Sequence, residues 1–360
     1  MGDLVANYEG WDQSNLHESG LFWSDDNRDG MEISISGPGL RPTLNSYLYA
    51  DAKAIARIAH MAGKADITDR FSAKADALKR LIHERLWDAD AGFFKVIPLK
   101  SKDDRVSTWN WRQIDPDHNA REELGYVPWY FNLPDPGLES AWEQLMDPQG
   151  FFAPFGPTTA EQRHPRFMFE HPHECLWNGP SWPFATSQTL MAMANLLSRY
   201  EQTVVTKADY LKLLQIYAGC HQRVRPDGTR VAWLDENLDP FTGEWLARRI
   251  LESAGWPEHK AGRERGKDYN HSTFCDLVIS GLVGVQTREP DAFAVHPLVP
   301  AEAWDYFCLD RLSYRGYEMT IFYDRTGTRY GRGAGLHVYA DGQPLAHAPT
   351  LAPLRAKLPA

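Results

Sequence analysis

The segment WLDENLDPFTGEW, Trp233 to Trp245, puts Asp235, Glu236 and Asp239 into one short loop flanked by tryptophans. Asp239-Pro240 followed by Thr242-Gly243 predicts a tight turn that pins the acids before it. Glu236 is the candidate for chemistry, because KDYNHSTF (Lys267 to Phe274) offers polar groups beside it, including Tyr269 and His271. The plainer reading of Glu236 is a helix cap or a solvated loop carboxylate. About two hundred residues earlier, FWSDDNRDGMEISISG (Phe22 to Gly37) holds a second acidic group: Asp25, Asp26, Asp29 and Glu32, with Arg28 among them. Two carboxylates on separate irregular loops suit the hydrolysis of a glycosidic bond. One acid must stay protonated to serve the leaving oxygen, while the other stays ionised to activate water or to attack. Burial raises the first group's pKa, and hydrogen-bond donors hold the second one charged.

The second segment also admits a bound cation, since Asp25, Asn27 and Asp29 alternate like ligands ahead of Gly30. An EF-hand would need an acid at the twelfth place, where Ser36 stands. In HPHECLWNGPSWPFATS (His171 to Ser187), His171, His173 and Glu174 could form a metal set, but they lack the HExxH spacing. No metal and no cofactor is expected. The same stretch ends in a helix start with an early proline, where Asn178 could bond a sugar hydroxyl and Trp177 or Trp182 could stack on its ring. The chain has thirteen tryptophans, many of them in polar, Gly- and Pro-rich stretches. An indole pairs an apolar face with one N–H donor, which fits a sugar's C–H face and polar rim. Trp23, Trp177, Trp182 and Trp233 are therefore candidate subsite walls. Packing of loops is the alternative use for them.

The elements that must position these residues are helical for most of the chain. Residues 1–40 show no helical period and read as an irregular, site-forming segment. From Pro42, Leu48, Ala52, Ile55, Ala59 and Ala62 recur at helical steps that stop near Gly63; Ile67, Phe71, Ala75, Leu78, Ile82 and Leu86 then mark a second helix. So short a connection predicts an antiparallel αα-hairpin. A short helix is expected near Leu138 to Leu145, and further helices in SWPFATSQTLMAMANLLSRY, KADYLKLLQIYAGCHQRV and STFCDLVISGLVGV. From about Asp291 the pattern alternates apolar and polar residues around the turns Asp324-Arg325-Thr326-Gly327 and Asp341-Gly342, which predicts a small antiparallel β-module. The expected divisions are 1–290 for the helical catalytic domain, 291–350 for the β-module and 351–360 for a tail.

Composition narrows the partners. A net charge of -10 argues against nucleic acid, which needs a basic face. No apolar stretch approaches the ~18 residues of a membrane span. The N-terminal MGDLVANYEGWDQ has neither a basic nor an apolar leader region, so a cytoplasmic location is expected if that start is native. The four cysteines, Cys175, Cys220, Cys275 and Cys308, lie far apart and read as buried free thiols.

Three motifs in order resemble the six-hairpin (α/α)6-toroid glycosidases related to glycoside hydrolase families 63 and 37, which include mannosylglycerate hydrolases and trehalases. Glu236 to Gly243 matches the base motif E-N/K-Y-D/H-P-x-T-G apart from Leu238 for tyrosine, and Trp177 to Trp182 resembles W-x-G-P-x-W. Asp29-Gly30-Met31-Glu32 stands where those families carry S-G-x-D, which makes Glu32 the acid and Asp29 its reserve. The likeness spans about residues 8–285. It implies a mainly α fold, an (α/α)6 toroid with a small C-terminal antiparallel β-module. A full toroid needs more helices than this sequence supplies, so the chain is the C-terminal part of a longer toroid or an incomplete one. The resemblance further implies an inverting glycosidase acting on an α-linked gluco- or manno-configured di- or oligosaccharide. Glu32 would be the acid and Glu236 the base, with Trp23, Arg28, Trp177, Asn178, Trp182, Trp233, Tyr269 and His271 around the sugar. A phosphate-dependent disaccharide phosphorylase on the same toroid, or a non-catalytic carbohydrate-binding protein, would retain much of this pattern.

Overall fold

The computed structural model describes residues 1–225, 227–260, 262–263, 265–270, 272–287 and 291–359. They form two compact units, one of residues 1–196 and 216–269, the other of residues 197–215 and 270–360. Helices with small antiparallel sheets make the fold mainly α.

The first unit is organised by the expected hairpin. Helix α2 runs Pro42–Met61 and α3 runs Ala65–Leu86. Pro42 pre-sets the first turn of α2, and Gly63, at φ +67°, lets the chain reverse after it. The faces buried are those the periodicity marked: Leu48, Ala52, Ile55 and Ala59 on α2, with Phe71, Ala75, Leu78, Ile82 and Leu86 on α3.

The irregular start expected over residues 1–40 is only partly right, because Gly2–Asn15 forms helix α1. Its apolar residues do not share a face, and it buries only Tyr8 and Asn15. Tyr8 meets Phe22 and Phe71 edge-on, while Asp12 pairs with Lys74 and Glu9 with Arg70. A helix held by one ring and surface ion pairs leaves no period to read. The stretch near Leu138 to Leu145 is a 3-10 segment, Glu139–Gln144. Around it Phe93, Phe94, Tyr126, Trp129, Trp142 and Phe151 pack ring on ring, with Trp129 and Trp142 fully buried. These two tryptophans are core residues.

In the second unit, Thr273–Asp276 continues through a wide π turn, Leu277–Val283, that ends at Gly284. A Cβ on Gly284 would lie 2.0 Å from the His296 carbonyl oxygen, so only glycine fits that left-handed exit. Four antiparallel strands follow in sequence order, Tyr306–Tyr314, Tyr317–Asp324, Gly335–Ala340 and Gln343–Ala348. Met319, Ile321, Leu336 and Val338 alternate onto the inner face against Phe293 and Val295. The Asp324 carboxylate accepts the backbone N–H groups of Thr326, Gly327, Arg329 and Tyr330, which closes the expected turn. Residues 354–357 are not tail: Leu354–Lys357 pairs with Ala292–Val295 as a strand. All four cysteines are free, but Cys275 and Cys308 are exposed, unlike the expectation of burial.

Asp29 has a structural task. Its Oδ2 accepts from Arg41 Nε at 2.6 Å and from the Thr43 hydroxyl, and both charged side chains are buried. The same guanidinium donates to Ser34 Oγ and to the Gly37 carbonyl, so it laces the whole acidic segment to the start of α2. Replacing Asp29 by Asn leaves Arg41 buried without its counter-charge, and the expected loss is about 3–5 kcal/mol of unfolding free energy. Urea unfolding measures it; undiminished stability with lost turnover would instead give Asp29 a chemical role.

Candidate active site

The site lies in the first unit and grows from three segments. In the loop that carries Glu236, each acid has a different job. Asp239 Oδ1 accepts the N–H groups of Phe241 and Thr242, and Gly243 closes the turn at φ +75°, with the Phe155 ring 2.5 Å from where a Cβ would be. Asp235 forms a buried ion pair with Arg248 and accepts the Glu236 N–H at 3.0 Å. Arg248 also donates to the carbonyls of Arg263 and Arg265, so one buried pair fixes two loops at once. Gly266 sits directly above: a Cβ there would be 2.5 Å from Asp235 Oδ1 and 3.1 Å from the Glu236 side chain. Glu236, alone of the three acids, is left facing the site.

Residues 174–182 form the strut between the two glutamates. On one side Trp177 N–H donates to the Glu32 carbonyl at 3.1 Å. On the other, Ser181 and Leu238 exchange two backbone hydrogen bonds of 3.0 Å, and Asn237 Nδ2 donates to the Glu174 carbonyl. Gly179, at φ +155°, would carry a Cβ only 2.5 Å from Met168 Cγ. Trp177 and Trp182 stack at 4.3 Å with Tyr269 edge-on to Trp182, and Met31, next to Glu32, packs in the same cluster.

The segment that carries Glu32 is sharply bent. Ile33, immediately after Glu32, has φ +58°, a strained conformation for a β-branched residue that costs roughly 1–3 kcal/mol. Buried Glu122 holds the bend by accepting the N–H groups of Ile35 and Ser36.

Burial drives the Glu32 pKa up; its own backbone N–H and His173 pull it down, while Asp26 and Glu236 push it further up, and the net direction is upward. Glu236 has Arg265 3.6 Å from Oε1 and the Cys175 thiol 3.3 Å from Oε2. Cys175 and Tyr269 each feel both glutamates: burial first, and then those charges, push their pKa values far up. Behind them Glu174 is buried, which alone would raise its pKa, but hydrogen bonds from Lys260 and Arg265 hold it down at about 2.

A family model described as the mannosylglycerate hydrolase MGH1-like glycoside hydrolase domain matches residues 1–272. The chain belongs to that family. Among solved structures, one described as a sialidase is 39% identical over 99% of this chain, with a TM-score of 0.85, and this chain spans 30% of that one. A glycoside hydrolase family 63 mannosylglycerate hydrolase from Thermus thermophilus, in complex with glucose, is 16% identical over 60% of this chain and 47% of its own, at a TM-score of 0.38. The resemblance to relatives of family 63 is borne out by the family match, and the chain carries a glycosidase domain.

Within this MGH1-like domain, Glu32, Glu236, Trp177, Trp182 and Tyr269 come together. The other nominated residues are placed elsewhere. Asp29 is committed to Arg41 and Thr43. Trp23 donates its indole N–H to the Leu99 carbonyl, and exposed Arg28 lies over the Trp11 ring, contacts that stand outside the group. Trp233 donates to Asp235 and lies under Arg248, so it supports the ion pair. Asn178 is fully buried and donates to the Phe169 carbonyl; it borders a cavity of about 600 Å³ lined also by Met168, Leu246 and Ile250, none of them members of the glutamate group. His271 lies outside the described residues. His173 Nδ1 accepts the Cys175 N–H and Glu174 pairs with cations, so neither is free to serve the metal set considered for them. Sequence reasoning missed Cys175, Arg265, Asp235, Arg248 and Glu122. Only the adjacency of Asp235 to Glu236 signalled any of them.

Glu174 makes the site's integrity pH-dependent. Its folded pKa is depressed, so its contribution to stability is full above the ordinary carboxylate value of about 4.3 and falls away as the pH drops from there towards 2. Urea unfolding between pH 6 and pH 3 should show a smaller loss in Glu174→Gln than in the unaltered chain. Equal losses would remove this pairing from the account of acid sensitivity.

Proposed function

We propose that this domain hydrolyses an α-linked gluco- or manno-configured di- or oligosaccharide with inversion, Glu32 acting as general acid and Glu236 as general base. The observation that carries this is the shared environment: Cys175 and Tyr269 each feel both glutamates, and the charge of Glu236 raises Glu32. A burial-raised carboxyl suits proton delivery to the leaving oxygen. A carboxylate faced by a thiol and a guanidinium suits water activation. Half-buried Tyr269, edge-on to the buried Trp177–Trp182 stack, supplies an aromatic edge. The family's name makes an α-mannoside of glycerate the first substrate to try, and an (α/α)6 toroid is the architecture that goes with this reading, α2 and α3 forming one of its hairpins.

Hydrolysis is favoured over phosphorolysis by the local charge balance. Lys260 and Arg265, the cations behind Glu236, are already engaged by Glu174. A phosphate there would face a paired, not a free, guanidinium.

The test uses 2-O-α-D-mannosyl-D-glycerate in phosphate-free buffer, with sugar release as readout. Glu32→Gln and Glu236→Gln should each lower kcat by about 10²- to 10⁴-fold with unchanged unfolding curves. Proton NMR of the first turnover should show the β-anomer of the released sugar. Normal turnover by either variant removes that residue from its role, and an α-anomer makes the reaction retaining.

A further inference from the structure

We propose that Cys175 is a positioning residue for this reaction: its thiol donates to Glu236 Oε2 and, with Arg265 at Oε1, fixes the plane of the carboxylate that receives the proton from water. The inference rests on the reading of Glu236 as general base and adds what holds it. Cys175 Sγ lies 3.3 Å from Glu236 Oε2, inside the range of a thiol hydrogen bond. The residue is buried, and its own N–H donates to His173 Nδ1 at 3.0 Å, so the strut fixes the backbone from which the thiol reaches. Arg265 Nη2 stands 3.7 Å from the sulfur and 3.6 Å from Oε1, completing a bracket around the carboxylate.

The surroundings decide which partner donates. Glu236, Glu32 and Glu174 face the sulfur together with Arg265, and His173 adjoins its backbone. Burial and the neighbouring charges of Glu236 and Glu174 disfavour a thiolate, so the proton stays on sulfur and Cys175 serves neither as nucleophile nor as base. A thiol is a weak donor. It orients the carboxylate while withdrawing little of the basicity that water activation requires, whereas a hydroxyl would bond the charge more firmly.

Two readouts separate this role from mere packing. The Raman S–H stretch of Cys175, isolated by subtracting the spectrum of Cys175→Ser, should lie low, as for a thiol bonded to a carboxylate. It should rise in Glu236→Gln. With 2-O-α-D-mannosyl-D-glycerate, Cys175→Ala should lower kcat about tenfold, the range of one hydrogen bond to a charged group, and move the acidic limb of kcat/KM upward. Cys175→Ser should bring that limb back to or below its original position. A thiol band at the free frequency, indifferent to Glu236→Gln, overturns the proposal even if Cys175→Ala fails to fold. An unchanged acidic limb in a folded Cys175→Ala overturns it too, while a dead Glu236→Gln would leave the reading of the base standing. Full turnover by Glu236→Gln would instead sink that reading.

Discussion

Everything at the site depends on a nine-residue strut, 174–182, that is hydrogen-bonded along one edge to the Glu32 segment and along the other to the Glu236 loop. Glu32 and Glu236 are far apart in the chain, and neither loop has regular structure to locate it. Irregular loops hold a side chain within a few tenths of an ångström only when backbone groups are paired and neighbouring rings are packed. The strut supplies both, through the Trp177 to Glu32 and Ser181 to Leu238 backbone bonds and the stacked indoles between them. The W-x-G-P-x-W pattern then has a physical meaning. Its tryptophans form the stack, and its glycine, at φ +155° against Met168, permits the approach that a side chain would block.

Two buried ion pairs anchor the ends of this arrangement. Asp29–Arg41 ties the Glu32 segment to α2, and Asp235–Arg248 ties the Glu236 loop to the carbonyls of Arg263 and Arg265. Pairs of this kind seldom add much net stability, since desolvation offsets their attraction, but losing one partner is costly. Here they specify geometry. The strain at Ile33 is tolerated because Glu122 and Arg41 over-determine the loop around it.

What the sequence disclosed follows from where the information sits. The α2–α3 hairpin was legible because both helices bury a periodic face, and the Asp239 to Gly243 turn because its chemistry is local. Helix α1 was not, since a few contacts to α3 and Phe22 hold it in place of an apolar stripe. The glutamates and the indole pair stood out by motif. Trp23, Trp233 and Arg28 share their composition but turn toward Leu99, Asp235 and Trp11. Cys175 and Arg265 could not be foreseen, because their roles exist only once segments 61 and 90 residues apart have met.

The central claim is that Glu32 and Glu236 occupy one site and that burial raises the Glu32 carboxyl above the ordinary range. Carbon-13 NMR titration of the Glu32 side-chain carboxyl, in the unaltered chain and in Glu236→Gln, tests it most directly. The expected result is titration above the ordinary glutamate range, moving part of the way down when the charge at 236 is removed. A Glu32 that titrates like an exposed glutamate and is indifferent to residue 236 would contradict the account.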